Sequence, residues 1–200
     1  MSRFIETIKI QNGQPCNLRL HEARLQRTRQ HFFPGAPPTL PLEDWLPVPA
    51  ACQTGLFKCR VIYAEALLQA EFFPYAPRPI HSLKLVADEA IDYPWKYEDR
   101  SALERLFAQK GTCDDILIVK NGLLTDSSYS NLAFYDGSAW FTPETPLLQG
   151  VQRERLLREG RIIPASIRVE DLNGFSQIAL INAMLELGDC VVEAANVLGR

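Results

Sequence analysis

The sequence contains few of the residues that build metal sites and disulfide frameworks. Its three histidines lie far from one another in the 200-residue chain, and no HExxH spacing occurs. The five cysteines are widely scattered, odd in number and form no CxxC pair, which favours reduced and mostly buried thiols over disulfides or a zinc site. We therefore expect no bound metal ion.

A strong excess of charge of one sign is also missing. The 21 Lys and Arg residues nearly balance the 24 Asp and Glu residues, for a net charge of -3, and no long basic run suggests nucleic-acid binding. No apolar stretch is long enough to cross a bilayer, and the first residues lack the charged-then-apolar pattern of a secretion signal. The sequence predicts a cytoplasmic protein whose partner is a small molecule, not nucleic acid or a membrane.

The sequence does contain many short strand patterns alternating with isolated helices. Hydrophobic residues make up 46% of the chain and charged residues 22%, which is typical of a folded protein of one large domain or two small ones. Residues 4–10 and 14–18 read as strands joined by Asn12-Gly13, a hairpin signal, and a helix is predicted over 21–33. The alternation favours an α+β fold.

The middle of the chain contains one ambiguous segment and one connector. Residues 65–73 carry a pattern that fits either a strand or a helix, and we favour strands from their β-branched and aromatic content. The proline-rich residues 72–81 indicate a link between two halves, so we predict domains at 1–78 and 79–200. Ser101 and Glu104 have the spacing of a capping box at the start of a helix, and Lys96 comes just before it.

The second half is predicted to contain an antiparallel meander, made of DDILIV at 114–119, GLLTD at 122–126, NLAFYD at 131–136 and SAWFTP at 138–143. Asn121-Gly122 and Asp136-Gly137 separate short apolar segments, as tight hairpin turns do. The sequence VQRERLLREG indicates a helix that begins just after Gly150 and ends at Gly160, and two further strand-like segments follow it.

Four segments together resemble the class IV aminotransferases, the fold-type IV enzymes that use pyridoxal phosphate. They are HEARL at 21–25, WKYEDR at 95–100, LTDSSYSNLAF at 124–134 and PLLQGVQRERLL at 146–157. The resemblance runs from the first hairpin to LINAM at 180–184, in a chain shorter than usual family members. It implies a small N-terminal α/β domain over 1–78, a C-terminal β-rich pseudo-barrel domain over 79–200, pyridoxal 5'-phosphate as cofactor and a homodimer.

By this resemblance, Lys96 matches the lysine that forms the Schiff base with the cofactor aldehyde. An amine attacks a carbonyl only when it is neutral, so such a lysine needs a pKa lowered by burial or by nearby positive charge. Trp95 and Tyr97 are suitable pocket residues, but in a strand they would point away from the face of the lysine, and their role is open. A lysine in an ordinary solvated turn is the alternative.

Asp126 matches the carboxylate that faces the pyridine nitrogen of the cofactor, where the family usually has glutamate. A carboxylate there keeps the nitrogen protonated, so that the ring can accept electrons from the substrate. Aspartate is one methylene shorter, which changes the geometry. Alternatively, Asp126 only caps the serine-rich turn that follows it.

The resemblance assigns the cofactor phosphate to three segments. Arg24 matches an arginine that reaches the phosphate, and a planar guanidinium suits paired phosphate oxygens. Val151 and Gln152 match a helix start whose backbone amides bind the phosphate, with glutamine where the family usually has threonine. Asn182 and Ala183 match a further phosphate-side segment, although Asn182 could simply end a buried strand.

Thr7 bears on the type of reaction, because it matches a threonine implicated in proton transfer in 4-amino-4-deoxychorismate lyase. We therefore expect that activity, which releases pyruvate and gives 4-aminobenzoate for folate synthesis. A strand also favours threonine by propensity alone. The alternatives are an amino-acid transaminase, branched-chain or D-specific, and a non-catalytic protein that binds pyridoxal phosphate. A transaminase needs groups that bind the substrate carboxylate, and four residues are candidates: Lys9, Arg19, Lys58 and Arg60.

Overall fold

The computed structural model describes residues 2–199, which form two compact units. The first unit comprises the residues up to Pro77 together with Trp95–Asp99, and the second comprises Arg78–Pro94 and the residues from Arg100 onward. The predicted boundary after residue 78 lies next to this division. Lys96, however, groups with the first unit and not with the rest of 79–200. None of the helices among residues 2–199 is both long enough and apolar enough to span a membrane.

The first unit contains an antiparallel sheet with the strand order β2-β1-β3-β4. Its elements are β1 (Phe4–Gln11), β2 (Gln14–Pro15), α1 (Leu18–Phe32), α2 (Leu42–Trp45), a 3-10 helix (Ala50–Cys52), β3 (Leu56–Tyr63) and β4 (Leu67–Pro74). The predicted first hairpin is confirmed, since β1 pairs with β2 and Asn12 and Gly13 have φ values of 49° and 80° in the turn. Its second strand is shorter than the predicted 14–18, because α1 begins at Leu18, three residues before the predicted start. The strand prediction for the ambiguous segment is also confirmed, because β4 pairs with β3.

Alternation along β1 builds the core of the first unit. Phe4, Ile8 and Ile10 are fully buried and pack with Leu25 of α1. The same alternation places Glu6 on this apolar face. A charged residue therefore lies under α1, among the core side chains.

Residues 95–99 belong to the first unit because their backbone runs beside β1. The Ile5 N–H donates to the Lys96 carbonyl at 2.9 Å, and the Glu98 N–H donates to the Arg3 carbonyl at 2.9 Å. Trp95 and Tyr97 pack against the core of the unit, with the Tyr97 ring 5.2 Å from that of Phe4. The two aromatic residues therefore anchor the segment that carries the lysine.

The second unit contains two sheets with the strand orders β13-β5-β6-β7 and β10-β9-β8-β11-β12. Its strands are β5 (Leu83–Ala87), β6 (Asp115–Lys120), β7 (Leu123–Leu124), β8 (Asn131–Tyr135), β9 (Trp140–Pro143), β10 (Ile163–Ala165), β11 (Gln177–Ile181), β12 (Val191–Glu193) and β13 (Val197–Leu198). Its helices are α3 (Ser101–Phe107), α4 (Val151–Arg158) and three 3-10 helices (Ala108–Lys110, Glu170–Gly174, Ala194–Asn196).

Two predictions for this unit need correction. The four strands of the predicted meander pair antiparallel within β6–β7 and within β8–β9, as expected, but β7 and β8 lie in different sheets, so they form two pairs and not one meander. Outside these pairs, β5 pairs with β6 in parallel, and β10 pairs with β9 in parallel. The connection from β5 to β6 contains α3 and is long enough for the crossover that parallel strands need. The prediction of a capping box is wrong. Ser101 is already the first residue of α3, and the N-cap residue is Arg100, whose side chain makes no capping hydrogen bond.

The core of the second unit lies between its two sheets. Leu117 and Leu83 of one sheet share a buried cluster with Leu132 and Phe134 of the other. Ala133, between the last two, faces the opposite side of its sheet, where it packs with Leu156 of α4. This packing holds α4 against that side of the sheet.

We expect Phe4→Ala to destabilise the first unit by about 3–5 kcal/mol, because Phe4 is 0% exposed and contacts four aromatic rings. Urea unfolding in a Trp140→Phe background measures this, since the remaining tryptophans, Trp45 and Trp95, both lie in the first unit. Phe73→Ala is the matched control. Phe73 is 43% exposed on β4, and its loss should cost less than about 1 kcal/mol. Equal effects of the two substitutions would contradict this account of the core.

Candidate functional site

The site residues suggested by the sequence fall into two groups, one in each unit. Arg24, Lys96 and Thr7 belong to the first unit. The second unit contains the other five: Asp126, Val151, Gln152, Asn182 and Ala183. Each group is described in turn.

The centre of the first group is Glu6, a residue that the sequence analysis did not select. Its carboxylate is fully buried and accepts hydrogen bonds from Arg24 Nε at 2.8 Å and Arg24 Nη2 at 2.5 Å. His21 Nδ1 lies 2.6 Å from Glu6 Oε2, the same oxygen that accepts from Arg24 Nη2. The signal in the sequence was a lone charge in the apolar alternation of β1.

The charges of this cluster follow from its contacts. Burial alone would raise the pKa of Glu6, but the adjacent Arg24 guanidinium and the hydrogen bond to His21 lower it to about 2. Burial lowers the pKa of His21, and the charges of Arg24 and Lys96 lower it further against the opposing effect of Glu6. Glu6 is therefore ionised and His21 neutral at pH 7. The neutral ring must then carry its proton on Nδ1 to donate to Glu6.

Lys96 and Thr7 take different positions relative to this cluster. Lys96 is half-buried, and its backbone is fixed by Ile5. Thr7 follows Glu6 on β1, so it lies on the other face of the sheet, opposite Arg60 of β3. Arg60 is paired with two carboxylates, Glu71 at 3.2 Å and Glu98 at 3.0 Å. The sequence thus placed Thr7 on the correct strand, and its role in proton transfer stays a prediction.

Asp126 is the centre of the second group. It is 5% exposed, and its two oxygens accept hydrogen bonds from Asn131 Nδ2 at 2.8 Å and from the Leu148 N–H at 2.9 Å. Burial raises the pKa of Asp126 to about 6, although these bonds and the charge of Arg153 oppose the rise. The alternative, in which Asp126 only caps the serine-rich turn, does not account for these contacts, because that turn is held by Ser127 Oγ, which accepts from the Ser130 N–H at 3.0 Å.

Asn131 connects Asp126 to the start of α4. Its Nδ2 donates to the Leu148 carbonyl at 2.8 Å as well as to Asp126. Its Oδ1 lies so close to Gly150 that a Cβ on this residue would be only 1.9 Å away. A side chain at Gly150, the N-cap of α4, would displace Asn131 from these contacts. The amides of the first three helical residues, 151–153, have no partners within the helix, since the first such bond runs from the Glu154 N–H to the Gly150 carbonyl.

The remaining predicted residues surround this helix start. Gln152 is 1% exposed, and its Nε2 donates to Glu186 at 2.7 Å, so its side chain points into the unit. Asn182 Nδ2 donates to Ser130 Oγ at 2.8 Å, and its Oδ1 accepts from the Met184 N–H at 2.8 Å. Asn182 thus follows a buried strand, as in the alternative, and also holds the serine-rich turn. Ala183 is half-buried beside it.

These residues fit pyridoxal phosphate. Asp126 is a buried carboxylate with a raised pKa and without a cation among its hydrogen-bond partners, which suits a protonated ring nitrogen. The N-terminus of α4, with no side chain at Gly150, suits a phosphate. In the first unit, the Arg24 guanidinium has donors that suit a phosphate, and Lys96 has the amine that an aldehyde requires. Of the described residues, no set of three or more His, Cys, Asp or Glu side chains is placed to bind a metal ion.

We expect the first unit to lose stability in acid through Glu6. A folded-state pKa of about 2, below the usual 4.5, means that Glu6 stabilises the fold above pH 4.5 and loses this contribution as the pH falls toward 2. The full loss is on the order of 3 kcal/mol. Urea unfolding is measured between pH 6 and pH 3 in the Trp140→Phe background. As the pH falls, the free energy of unfolding should decrease more steeply for the protein with Glu6 than for Glu6→Gln.

Glu71→Gln serves as the control for this acid effect, because Glu71 is a partly exposed carboxylate of the same sheet. The free energy of unfolding of Glu71→Gln should decrease with falling pH as steeply as that of the unchanged protein. His21 adds to the decline below pH 6.5, since its lowered pKa means that protonation opposes folding. If the free energy of unfolding falls equally with pH in Glu6→Gln and in the unchanged protein, the ionised, buried Glu6 does not stabilise the fold in this way.

Comparisons with known proteins agree with this arrangement. Residues 64–191, more than half of the chain, match the family described as "Amino-transferase class IV". A Haemophilus influenzae protein described as uncharacterized is 40% identical over 185 residues, which cover 92% of this chain and 98% of the relative. A crystal structure from Haemophilus somnus 129PT, described as a "putative 4-amino-4-deoxychorismate lyase", is 36% identical with a TM-score of 0.88 and covers 94% of this chain and 98% of its own.

A solved structure with lower sequence identity to this chain has a similar fold. The PLP-bound form of a hypothetical aminotransferase from Mycobacterium tuberculosis has a TM-score of 0.78 at 18% identity, covering 100% of this chain and 82% of its own. The α+β, fold-type IV prediction is thus confirmed. On the strength of the family match and of these relatives, the chain belongs to the class IV aminotransferase family of pyridoxal-phosphate-dependent enzymes.

Proposed function

We propose that the protein binds pyridoxal 5'-phosphate and acts as a 4-amino-4-deoxychorismate lyase. The environment of Asp126 carries the cofactor assignment, since a buried carboxylate held only by neutral donors lacks the cation that a protonated ring nitrogen supplies. The choice of the lyase is supported by the similarity over nearly the whole chain to the Haemophilus somnus protein described in those terms. The match of Thr7 is the second support.

Each residue has a separate task in this proposal. Lys96 would hold the cofactor through its aldehyde and, in the reaction, would take the proton from the carbon that bears the substrate amine. Asp126 keeps a proton on the ring nitrogen. Arg24 and the amides of Val151 and Gln152 bind the phosphate, with Asn182 and Ala183 beside it. When bound, the cofactor supplies an electron sink for the bond broken at that carbon.

The elimination itself balances without a further reactant. Loss of the proton from the amine-bearing carbon and of the enolpyruvyl oxygen from its neighbour makes the substrate ring aromatic, which gives 4-aminobenzoate. The departing enolpyruvyl group takes up one proton and becomes pyruvate. Thr7 is proposed to take part in this proton transfer, as its resemblance implies. Lys96 is the proton carrier at the first carbon.

Amino-acid transamination is the alternative activity of the same residues, and it would require a group that binds the substrate carboxylate. Arg60 is paired with Glu71 and Glu98, and Lys58 lies 5.4 Å from the centre of the Phe73 ring. Neither set of contacts indicates that Arg60 or Lys58 binds a substrate carboxylate, so neither favours a transaminase over the lyase. A cytoplasmic location, a homodimer and a part in folate synthesis stay predictions that follow from the same proposal.

We expect purified protein with pyridoxal phosphate to show a visible absorption band that borohydride removes, leaving a stable adduct on the peptide with Lys96. Mass analysis of the digested protein locates the adduct. Lys96→Ala should lose both the band and the adduct, whereas Lys84→Ala, a half-buried lysine of β5 in the second unit, should keep both. Adducts in equal amounts on other lysines would refute the role of Lys96.

We expect the loaded protein to convert 4-amino-4-deoxychorismate to equal amounts of pyruvate and 4-aminobenzoate, measured by coupled reduction of pyruvate and by 4-aminobenzoate fluorescence. Lys96→Ala should reduce the rate by at least about a thousandfold, because it removes the group that moves the proton. Asp126→Asn should also lower the rate, because a neutral amide does not hold the ring nitrogen protonated. Transfer of an amino group from a branched-chain or D-amino acid to a keto acid, without lyase products, would identify a transaminase instead.

A further inference from the structure

The ion pair between Glu6 and Arg24 is the most deeply buried pairing of opposite charges in the described part of the first unit. Glu6 is 0% exposed and Arg24 7% exposed, and the contacts to Nε and Nη2 engage two nitrogens of the guanidinium at once. A buried ion pair is weak evidence for stability, because apolar residues of similar size often stabilise a fold equally well. Its geometry suggests a role in orienting one partner.

The contact engages one particular edge of the guanidinium. Glu6 takes the edge formed by Nε and Nη2, so the planar group is fixed against rotation about its own axis. The edge formed by Nη1 and Nη2 then has a set direction relative to β1 and α1. An arginine that contacts a phosphate from that edge would be held in one orientation before the ligand arrives.

His21 fixes the other partner of the pair. Its Nδ1 lies 2.6 Å from Glu6 Oε2, and the ionised carboxylate requires that this nitrogen carry the proton. Glu6 is thereby tied to two residues of α1 that lie three positions apart, His21 and Arg24, and cannot follow the guanidinium if it moves. The His21 Nε2 is buried and accepts no hydrogen bond from the described residues.

We propose that Glu6 is the positioning residue of Arg24, and that His21 holds Glu6 in place, so that the guanidinium is oriented for the phosphate of the cofactor. This inference rests on the proposed function, in which Arg24 contacts that phosphate. Glu6 itself touches no ligand in this proposal and acts only through Arg24. The negative charge of Glu6 would by itself weaken phosphate binding, so orientation and charge predict opposite effects of its removal.

The test compares pyridoxal phosphate with pyridoxal, which has the same ring and aldehyde but no phosphate. Dissociation constants for both are measured by absorbance titration of the full-length protein, and their ratio isolates the contribution of the phosphate. Glu6→Gln keeps the shape of the side chain but can accept through only one oxygen. We expect it to reduce the preference for pyridoxal phosphate at least tenfold, about 1.4 kcal/mol, with pyridoxal binding unchanged.

Six further variants decide whether Glu6 acts through Arg24. Arg24→Ala should reduce the preference more than Glu6→Gln, and the double variant should lose no more than Arg24→Ala alone. His21→Asn, which keeps a donor for Glu6, should stay within about threefold of the unchanged protein, whereas His21→Leu should lose most of the preference. Glu71→Gln on the same sheet should change nothing, and Glu6→Asp tests the geometry if Glu6→Gln unfolds the first unit.

Each outcome decides something. A stronger preference for pyridoxal phosphate in Glu6→Gln would show that Glu6 acts only by its charge, which overturns the proposal. A large loss in Arg24→Ala with none in Glu6→Gln or Glu6→Asp overturns it too and leaves the proposed function standing. If Arg24→Ala keeps the preference for pyridoxal phosphate, Arg24 does not bind the phosphate and the inference fails. If the unchanged protein binds neither compound, the proposed function is overturned as well.

Discussion

A carboxylate cannot lie in an apolar core unless other groups take the place of water around it, and Glu6 imposes this requirement on the first unit. Strand β1 must present Glu6 together with Phe4 and Ile8, and α1 must supply both partners from one face. Arg24 and His21 are three residues apart, which places them on neighbouring turns of the helix and lets them reach one carboxylate. The register of β1 against α1, the proton position on His21 and the orientation of Arg24 are therefore set by a single side chain.

Asp126 is buried almost as deeply as Glu6, but its pKa shifts in the opposite direction because its hydrogen-bond partners differ. Its hydrogen bonds come from an amide side chain and a backbone N–H, and Arg153 acts on it only through its field. The pKa of Asp126 rises to about 6, whereas the guanidinium in direct contact with Glu6 lowers the pKa of that residue to about 2. Glu6 is already neutralised within its own unit. Asp126 remains a carboxylate to which a bound cation would contribute stability, which is the property expected of a ligand site.

Local signals predicted local structure well in this chain. Asn-Gly turns at 12–13 and 121–122 take the positive φ values that such turns require, and α4 begins directly after Gly150, as expected. The parallel pairing of β5 with β6 and the position of Lys96 in the first unit depend on contacts between residues far apart in sequence, which no local pattern records. The family resemblance selected residues that could contact the cofactor. It did not select Glu6, Asn131 or Arg153, whose hydrogen bonds and charges act on Arg24 and Asp126.

The shorter side chain at position 126 is matched by the way the second unit holds it. Leu148 donates its N–H to Asp126, and Asn131 contacts both Asp126 and the Leu148 carbonyl, so the carboxylate and the residues before α4 form one hydrogen-bonded group. Gly150 completes it, since its missing side chain leaves room for Asn131. Any shift of the carboxylate that compensates for the lost methylene must therefore carry the start of α4 with it. In the proposed function, the groups assigned to the ring nitrogen and to the phosphate therefore belong to one hydrogen-bonded set within the second unit.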